Sequence, residues 1–289
     1  SIFPACPGKP RLISRYLPQM ALTALLTTST CGIHADPITD PRAPVAFRPV
    51  INNAANGVPV VNIVAPNGVG VSHNRYQQFD VDGDGAVLNN STSRGRSSLC
   101  GVLDGNPNLT AGSATIILNE VTTLDASELN GLLEVFGDRA DVIIANPNGI
   151  SCDGCSFLNA TRISLVTGVP TWRDDALFFA VRDGRINIGR HGLRGADGGT
   201  FGVELLAHQI MLNGPVDSRA ALALVAGNFD INYSASHPRD HIEALAPHIT
   251  SVSEGAAVPM LAIDASHYGA LQSGQIEVIA TQQGAGVKL

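Results

Sequence analysis

From Val58 onward the apolar residues come in short, largely β-branched runs, and each run stops at Asn or Gly. Val142-Ile143-Ile144-Ala145 ends at Asn146, Ser164-Leu165-Val166-Thr167 at Gly168, and Ile186-Asn187-Ile188 at Gly189. Ile210-Met211-Leu212 ends at Asn213, and Leu222-Ala223-Leu224-Val225-Ala226 at Gly227. The turn residues 146, 168, 189 and 213 stand 22, 21 and 24 positions apart, although the step to 227 is short. Runs this short between turn formers read as strands. A period of roughly 20 residues fits one coil of a solenoid stacked about 4.8 Å from the next, whereas a β-sandwich would place turns about every 8–12 residues. The spacing predicts an all-β parallel β-helix, with Val, Ile, Leu and Ala in inward ladders and Asn at the corners. The open end of such a helix exposes strand edges that must be covered. Gly57–Asn90, ahead of the clear repeat, is the candidate N-terminal cap.

Composition agrees with this reading. Charged residues make up 15% of the chain, against about 25% in an ordinary soluble domain, and Lys9 and Lys288 are the only lysines. Aromatics are 5%, beside 30 Gly and 17 Pro. Solvated amphipathic helices need Glu, Lys and Arg on their outer faces, which argues against a mainly helical protein. A net charge of −7 without a basic stripe argues against nucleic acid as a partner. Mean hydropathy is +0.15, yet beyond residue 35 no apolar run reaches the length of about 18 needed to span a bilayer.

The first 35 residues read as an export signal. Arg11 and Arg15 precede a short apolar or small stretch, Met20–Thr30, followed by Gly32-Ile33-His34-Ala35 and then Asp36-Pro37. A positive segment, a short apolar segment and a small residue before the cut form the secretory pattern, with Ala35 the cleavage residue. A lipoprotein reading through Cys31 is weaker, because Thr30 stands before it. Residues 36–57 then read as a linker. Cleavage would leave Cys100, Cys152 and Cys155 and remove Cys6 and Cys31. Cys152-Asp153-Gly154-Cys155 is compatible with a zinc half-site, a redox pair or a local disulfide. Zinc lacks a matching second pair of ligands, and a redox pair would open a helix, whereas Asp153-Gly154 reads as a turn. In an oxidising compartment the local disulfide is favoured.

Several segments go beyond periodicity. Val58-Pro-Val-Val-Asn-Ile-Val-Ala-Pro-Asn67 runs into Gly70-Val-Ser-His-Asn-Arg-Tyr-Gln-Gln-Phe79, Leu88-Asn-Asn-Ser91, Asn106-Pro107-Asn108-Leu109 and Ile117-Leu-Asn-Glu-Val121. Asn146-Pro147-Asn148-Gly149-Ile150 is followed by Cys152-Asp-Gly-Cys155 and Phe157-Leu-Asn159. From about Val58 to Val287 these segments closely resemble the N-terminal secretion domain of two-partner-secretion exoproteins. That group comprises the filamentous haemagglutinins, haemolysins and contact-dependent growth inhibition proteins of Gram-negative bacteria. The resemblance implies a right-handed parallel β-helix over 58–289, with an N-terminal β cap and extra-helical strands. It implies a non-enzymatic transport address without cofactor or metal, read in the periplasm by the POTRA domains of an outer-membrane TpsB-type transporter. The product would be a monomer, secreted or held at the cell surface. It would nucleate β-helix folding outside the cell for an adhesin, haemolysin or inhibition toxin whose active region, following Leu289, meets a host or neighbouring cell. The motif residues carried over are Asn106, Pro107, Asn108 and Leu109, and Asn146, Pro147, Asn148, Gly149 and Ile150. The Cys152–Cys155 pair fits the haemolysin and inhibition branch, while Cys100 stands where a small residue is expected.

Asn-Pro-Asn-Gly is also a turn by its own chemistry, since Pro fixes φ and Asn and Gly tolerate positive φ. The motifs therefore serve either folding or recognition. Other chemistry is weaker. Asp80-Val-Asp82-Gly-Asp84-Gly85 imitates the start of an EF-hand loop, but position twelve is Ser91 rather than Glu, so it reads as a polar hairpin turn. His237 and His241 lack a third ligand and enclose Pro238. Asp174 and Asp175, beside Trp172 and Arg173, read as a solvated turn rather than a catalytic carboxylate pair. The sequons at Asn89, Asn90, Asn108, Asn159 and Asn232 are fortuitous in an Asn-rich chain. Two alternatives stand beside the export module. A surface adhesin binding glycan or receptor directly would need an exposed aromatic or basic patch. A β-helical carbohydrate-active enzyme would need carboxylates clustered on adjacent coils.

Overall fold

The computed structural model describes residues 36–195, 202–236, 244–265 and 269–289. The expected signal segment and the His237 and His241 pair lie outside them.

Three sheets of largely parallel strands form the body. The first contains Ile38–Thr39, Val71–Gln78, Ile116–Val121, Ala140–Ala145, Ala160–Val166, Gly202–Ala207, Ala221–Ala226 and Gln275–Ala280, in that order. The second runs Val50–Asn53, Pro59–Asn62, Ala86–Asn90, Leu132–Gly137, Cys155–Leu158, Leu193–Gly195, Val216–Asp217, Leu271–Gln272. The third runs Ser127–Leu129, Ile150–Cys152, Arg185–Ile188, Gln209–Leu212, Leu261–Asp264, Gly286–Lys288. The chain visits the first, third and second sheets in turn and then begins the next coil, which makes a parallel β-helix. Stacking in register builds inward ladders such as Ile117, Val142, Ile163, Val203 and Leu222. All five belong to one continuous core with Leu129, Cys152, Ile188 and Leu212 of the third sheet. Each fully buried Ile or Leu contributes about 1.5–3 kcal/mol, so this core carries the fold.

The outer faces differ, and the sequence pattern follows them. In the third sheet Ile186 and Ile188 are buried while Arg185 and Asn187 face outward, the alternation of a sheet with one solvated side. The first sheet is buried on both sides, which is why Val142–Ala145 and Leu222–Ala226 are continuous apolar runs. Its outer residues Leu118, Ile143, Val166, Leu206 and Val225 pack under an antiparallel sheet made of Gly168–Arg173, Ala176–Val181, Phe229–Asn232 and Ile249–Ser251. A second outer patch, Val58, Val60, Val87 and Phe136, lies under Leu99, Cys100 and Leu103 from the hairpin Gly95–Ser97 and Gly101–Leu103. The buried Glu134 carboxylate holds that hairpin by accepting from Ser98 N (2.9 Å), Ser97 Oγ (2.7 Å) and Leu99 N (3.0 Å).

The structure revises three expectations. The interval from Asn146 to Gly168 spans one coil, since Ala145 pairs with Val166. That from Gly168 to Gly189, however, crosses an inserted hairpin and passes from the first sheet to the third. Its agreement with the period is a coincidence of insertion length. Secondly, residues 36–57 are not a linker. Ile38–Thr39 pairs antiparallel with Val71–Gln78, and Val50–Asn53 with Pro59–Asn62. The cap thus begins earlier than Gly57 and ends sooner than Asn90, because Val71–Gln78 and Ala86–Asn90 already stack in parallel on the next coil. Strands this short and half-exposed carry no periodic signal. Finally, Asp80–Gly85 is a corner leading from the first sheet to the second, with Asp82 Oδ1 accepting from Asp84 N (2.9 Å) and Asp80 Oδ1 from Glu128 N (2.7 Å). Asp174 and Asp175 do form an exposed two-residue hairpin turn, with φ of 49° and 63°.

On the outer face of the first sheet, beside the cap, Glu120 accepts from His73 Nε2 (2.6 Å) and Arg75 Nε (2.8 Å). Burial pushes its carboxyl up, but the hydrogen bonds from His73 and Arg75, with the guanidinium charge of Arg75, more than offset this and hold it below its ordinary 4.5. A carboxyl harder to protonate when folded adds stability above its ordinary value, which is lost as pH falls through the folded one. Glu120→Gln is expected to cost about 1–3 kcal/mol near neutrality. The difference should close on acidification below 4.5, as thermal denaturation across a pH series would measure.

Candidate functional site

The two Asn-Pro-Asn motifs occupy corners of the β-helix and are built alike. Asn106, 4% exposed, follows the outer hairpin and leads into the first sheet. Its Nδ2 donates to the carbonyls of Ile63 and Asn89, both at 2.9 Å. Its Oδ1 accepts from Asn108 N at 3.0 Å, and its carbonyl accepts from Leu109 N at 3.1 Å, closing a β-turn with Pro107 at the second position. Asn108 Nδ2 reaches the Ile63 carbonyl at 3.0 Å. Leu109 enters the main core, and of the four only Pro107 is exposed.

Asn146, wholly buried, leads from the first sheet to the third. Its Nδ2 donates to the Asp125 carbonyl at 2.9 Å and to Ser127 Oγ at 3.0 Å. Oδ1 again accepts from the second Asn, Asn148 N at 3.0 Å, and the Asn146 carbonyl accepts from Gly149 N at 3.1 Å. Asn148 Nδ2 donates to the Thr123 carbonyl at 2.7 Å. Gly149 needs its glycine: φ is +119° and a Cβ would stand 3.1 Å from the Arg185 carbonyl oxygen. Ile150 enters the core. The two motifs thus sit at different corners, one entering the first sheet and one leaving it.

Cys152 and Cys155 follow directly, at the corner from the third sheet to the second, with Cα atoms 5.3 Å apart and sulfurs within bonding distance. Gly154, at φ +87°, turns the chain between them. Both side chains face the main core. Asp153 takes the N–H of His191 at 2.8 Å from the next coil. That bond, against slight burial and together with the His191 ring, lowers the Asp153 pKa. Cys100, the free thiol among the described residues, lies in the outer hairpin, and its partial burial there pushes its pKa up.

Asn90 and Asn159 share the corner role. Asn90 Nδ2 donates to the carbonyls of Ala114 and Asp138, both at 2.9 Å, and its Oδ1 accepts from Ala114 N at 2.8 Å. Asn159, at φ 60°, donates to the carbonyls of Val135 and Gly137. Asn74, inside the strand Val71–Gln78 rather than at a corner, accepts from Val64 N at 2.9 Å through Oδ1 and pairs in register with Asn119. For the corner residues the signal was present, an Asn at or just past a strand end, but no local pattern names the carbonyl it must reach.

Residues 35–289 match the family model of the TPS secretion domain. The chain is 38% identical over 254 residues to "Toxin CdiA" of Yersinia pestis, covering 86% of this chain and 7% of that protein. It is 38% identical over 273 residues to "Hemolysin" of Serratia marcescens, covering 93% and 16%. Against "Filamentous hemagglutinin" of Bordetella pertussis it is 41% identical over 238 residues, covering 81% and 6%. The chain therefore spans a small fraction of the length of these relatives. Among solved structures, the crystal structure of a filamentous hemagglutinin secretion domain superposes with a TM-score of 0.75 at 36% identity, covering 87% of this chain and 81% of that one.

Asn146→Ala leaves the Asp125 carbonyl and Asn148 N–H without partners in a buried corner. It should cost about 2–3 kcal/mol, against about 1 for Asn108→Ala, whose carbonyl partner keeps the Asn106 bond. Denaturant titration of both variants measures the difference, and equal losses would count against the corner mechanism.

Proposed function

This chain belongs to the TPS secretion domain family, and from that premise we propose that it is the export address of a larger exoprotein. It is read in the periplasm by the POTRA domains of an outer-membrane TpsB-type transporter. The observation that carries the mechanism is that the amides of Asn106, Asn108, Asn146 and Asn148 all donate to groups within the folded domain. Folded, these amides have no donor left to lead a partner's recognition. Unfolded, the same segments offer Asn-Pro-Asn with every amide free. The motifs then act twice: as a peptide signal before the coils close, and as corner clamps afterwards. Closure outside the cell removes the signal from the transporter, which opposes return.

In this reading residues 1–35 are a signal peptide cleaved after Ala35, and Cys152 and Cys155 are oxidised in the periplasm or beyond. The parent protein's activity, as adhesin, haemolysin or inhibition toxin, belongs to the part of the exoprotein outside this domain.

Release of the full chain into the medium should require a cognate transporter. Asn146→Ala should reduce that release roughly tenfold or more even when the variant, refolded in vitro, forms the same β-rich structure. Release that ignores the transporter would overturn the export reading. Mass spectrometry of the released protein should find an N-terminus at Asp36 and, without reduction, a single thiol open to alkylation, that of Cys100. Three alkylated cysteines would rule out the disulfide.

A further inference from the structure

Beside the cap, a cavity of about 370 Å3 opens between the short 3-10 turn Val45–Phe47 and the tip of the Gly168–Val181 hairpin. Phe47, Val64, Val71, His73 and Trp172 line it, and Asn67 and Asp175, both exposed, stand at its mouth. The His73 side chain is 5% exposed. Its ring meets Phe47 edge-on at 5.0 Å and lies 6.3 Å from Trp172. The carboxylate of Glu120, which also accepts from Arg75, takes the hydrogen on His73 Nε2. In the neutral ring this leaves Nδ1 as an acceptor. That atom is buried and has no hydrogen-bond partner among the described residues. A buried polar atom left unmet is costly and calls for an explanation.

The surroundings restrict what meets it. The walls are apolar and aromatic, which favours a flat ring in offset or edge contact. One acceptor calls for one donor. An alkyl group would leave Nδ1 unmet, and a second cation would be placed beside Arg75, whose guanidinium already covers Phe47 at 4.8 Å. We propose that this cavity binds a phenolic ring. The ring sits among Phe47, Val71 and Trp172, and its hydroxyl donates to His73 Nδ1. The phenol is either a free small molecule or the side chain of a tyrosine, for which the exposed mouth leaves room for a backbone. This site is independent of the export reading.

Trp172 is the only tryptophan in the chain, so its emission reports occupancy directly. Titration of the full chain with 4-methylphenol should give a saturable change, with an affinity roughly fivefold or more above that for toluene, which lacks the donor. N-acetyltyrosinamide separates the sources: saturable binding assigns a tyrosine side chain, and its exclusion while 4-methylphenol binds assigns a free phenol. His73→Phe keeps an aromatic ring but removes the acceptor, and should erase the preference over toluene. Ala65→Phe, at the exposed rim and away from the buried charges, should block both ligands if the first variant fails to fold. No saturable change, equal affinity for toluene, or binding that survives both variants would overturn the proposal. Any of these would leave Nδ1 to be met by water.

Discussion

A β-helix turns its chain at every corner, and each corner hides backbone groups that no neighbouring strand can pair. Inside a strand the ladder satisfies N–H and C=O without help from side chains; at a bend it cannot. The solution here is the side-chain amide of Asn, short enough to stay beneath the turn and able to donate and accept at once. Asn90 does both to one loop, taking the N–H of Ala114 and donating to its carbonyl. Asn106 and Asn146 do both across coils, holding their own turn with Oδ1 and, at Ile63 and Asp125, the preceding corner with Nδ2. If these corners loosened, the register of every inward ladder would be free to slip, and a slip of one residue exchanges inside for outside.

The second constraint is coverage. Parallel strands bury one face in the coil, and whether the other face is wet decides what the sequence must be. The third sheet leaves its outer face open, and polar Ser151 and Asn187 alternate with buried isoleucines there. The first sheet is roofed by the antiparallel layer of Phe179, Phe229 and Ile231; Ala140–Ala145 and Ala221–Ala226 are largely apolar on both sides, while on the same outer face the buried Ser164 hydroxyl donates to Glu204. Where that layer stops short of the cap, the outer face changes character. Leu118 lies under the layer, while Glu120, two residues on and on the same face, binds His73 and Arg75.

This explains what could be read from the sequence. Val142–Ala145 and Ile186–Ile188 announce strands because burial of one or both faces writes itself into adjacent residues. The Asn-Pro-Asn turns are legible for the same reason, as their φ requirements are local. The roof is not legible: Ala176–Val181 pairs with Phe229–Asn232, and nothing near either segment specifies the other. Insertion of its first hairpin between coils even imitated the coil period. The cap strands are not legible either, because Val50–Asn53 is mostly exposed and owes its conformation to pairing rather than burial. His73 reads as one polar residue in a strand, and only the cap turn and the roof hairpin together give it aromatic neighbours.

The direction of the corner bonds bears on how such a chain folds when it emerges from one end. Asn106 donates to Ile63 and Asn89, Asn108 to Ile63, Asn146 to Asp125, and Asn148 to Thr123. Each of these partners precedes its donor in sequence. A coil carrying an Asn-Pro-Asn corner can therefore dock on a coil already formed and needs nothing that follows. The antiparallel cap strands supply the first surface, so the cost of nucleation falls on a short segment with local contacts. Later coils each add one layer to an existing template, as in other solenoids. Two features reach forward instead: Asn90 donates to the carbonyls of Ala114 and Asp138, and the roof's inner hairpin, Gly168–Val181, must wait for Phe229–Asn232 before the outer face of the first sheet is sealed. Folding along the chain is thus a sequence of backward-reaching closures, completed when a later segment returns to cover an earlier one.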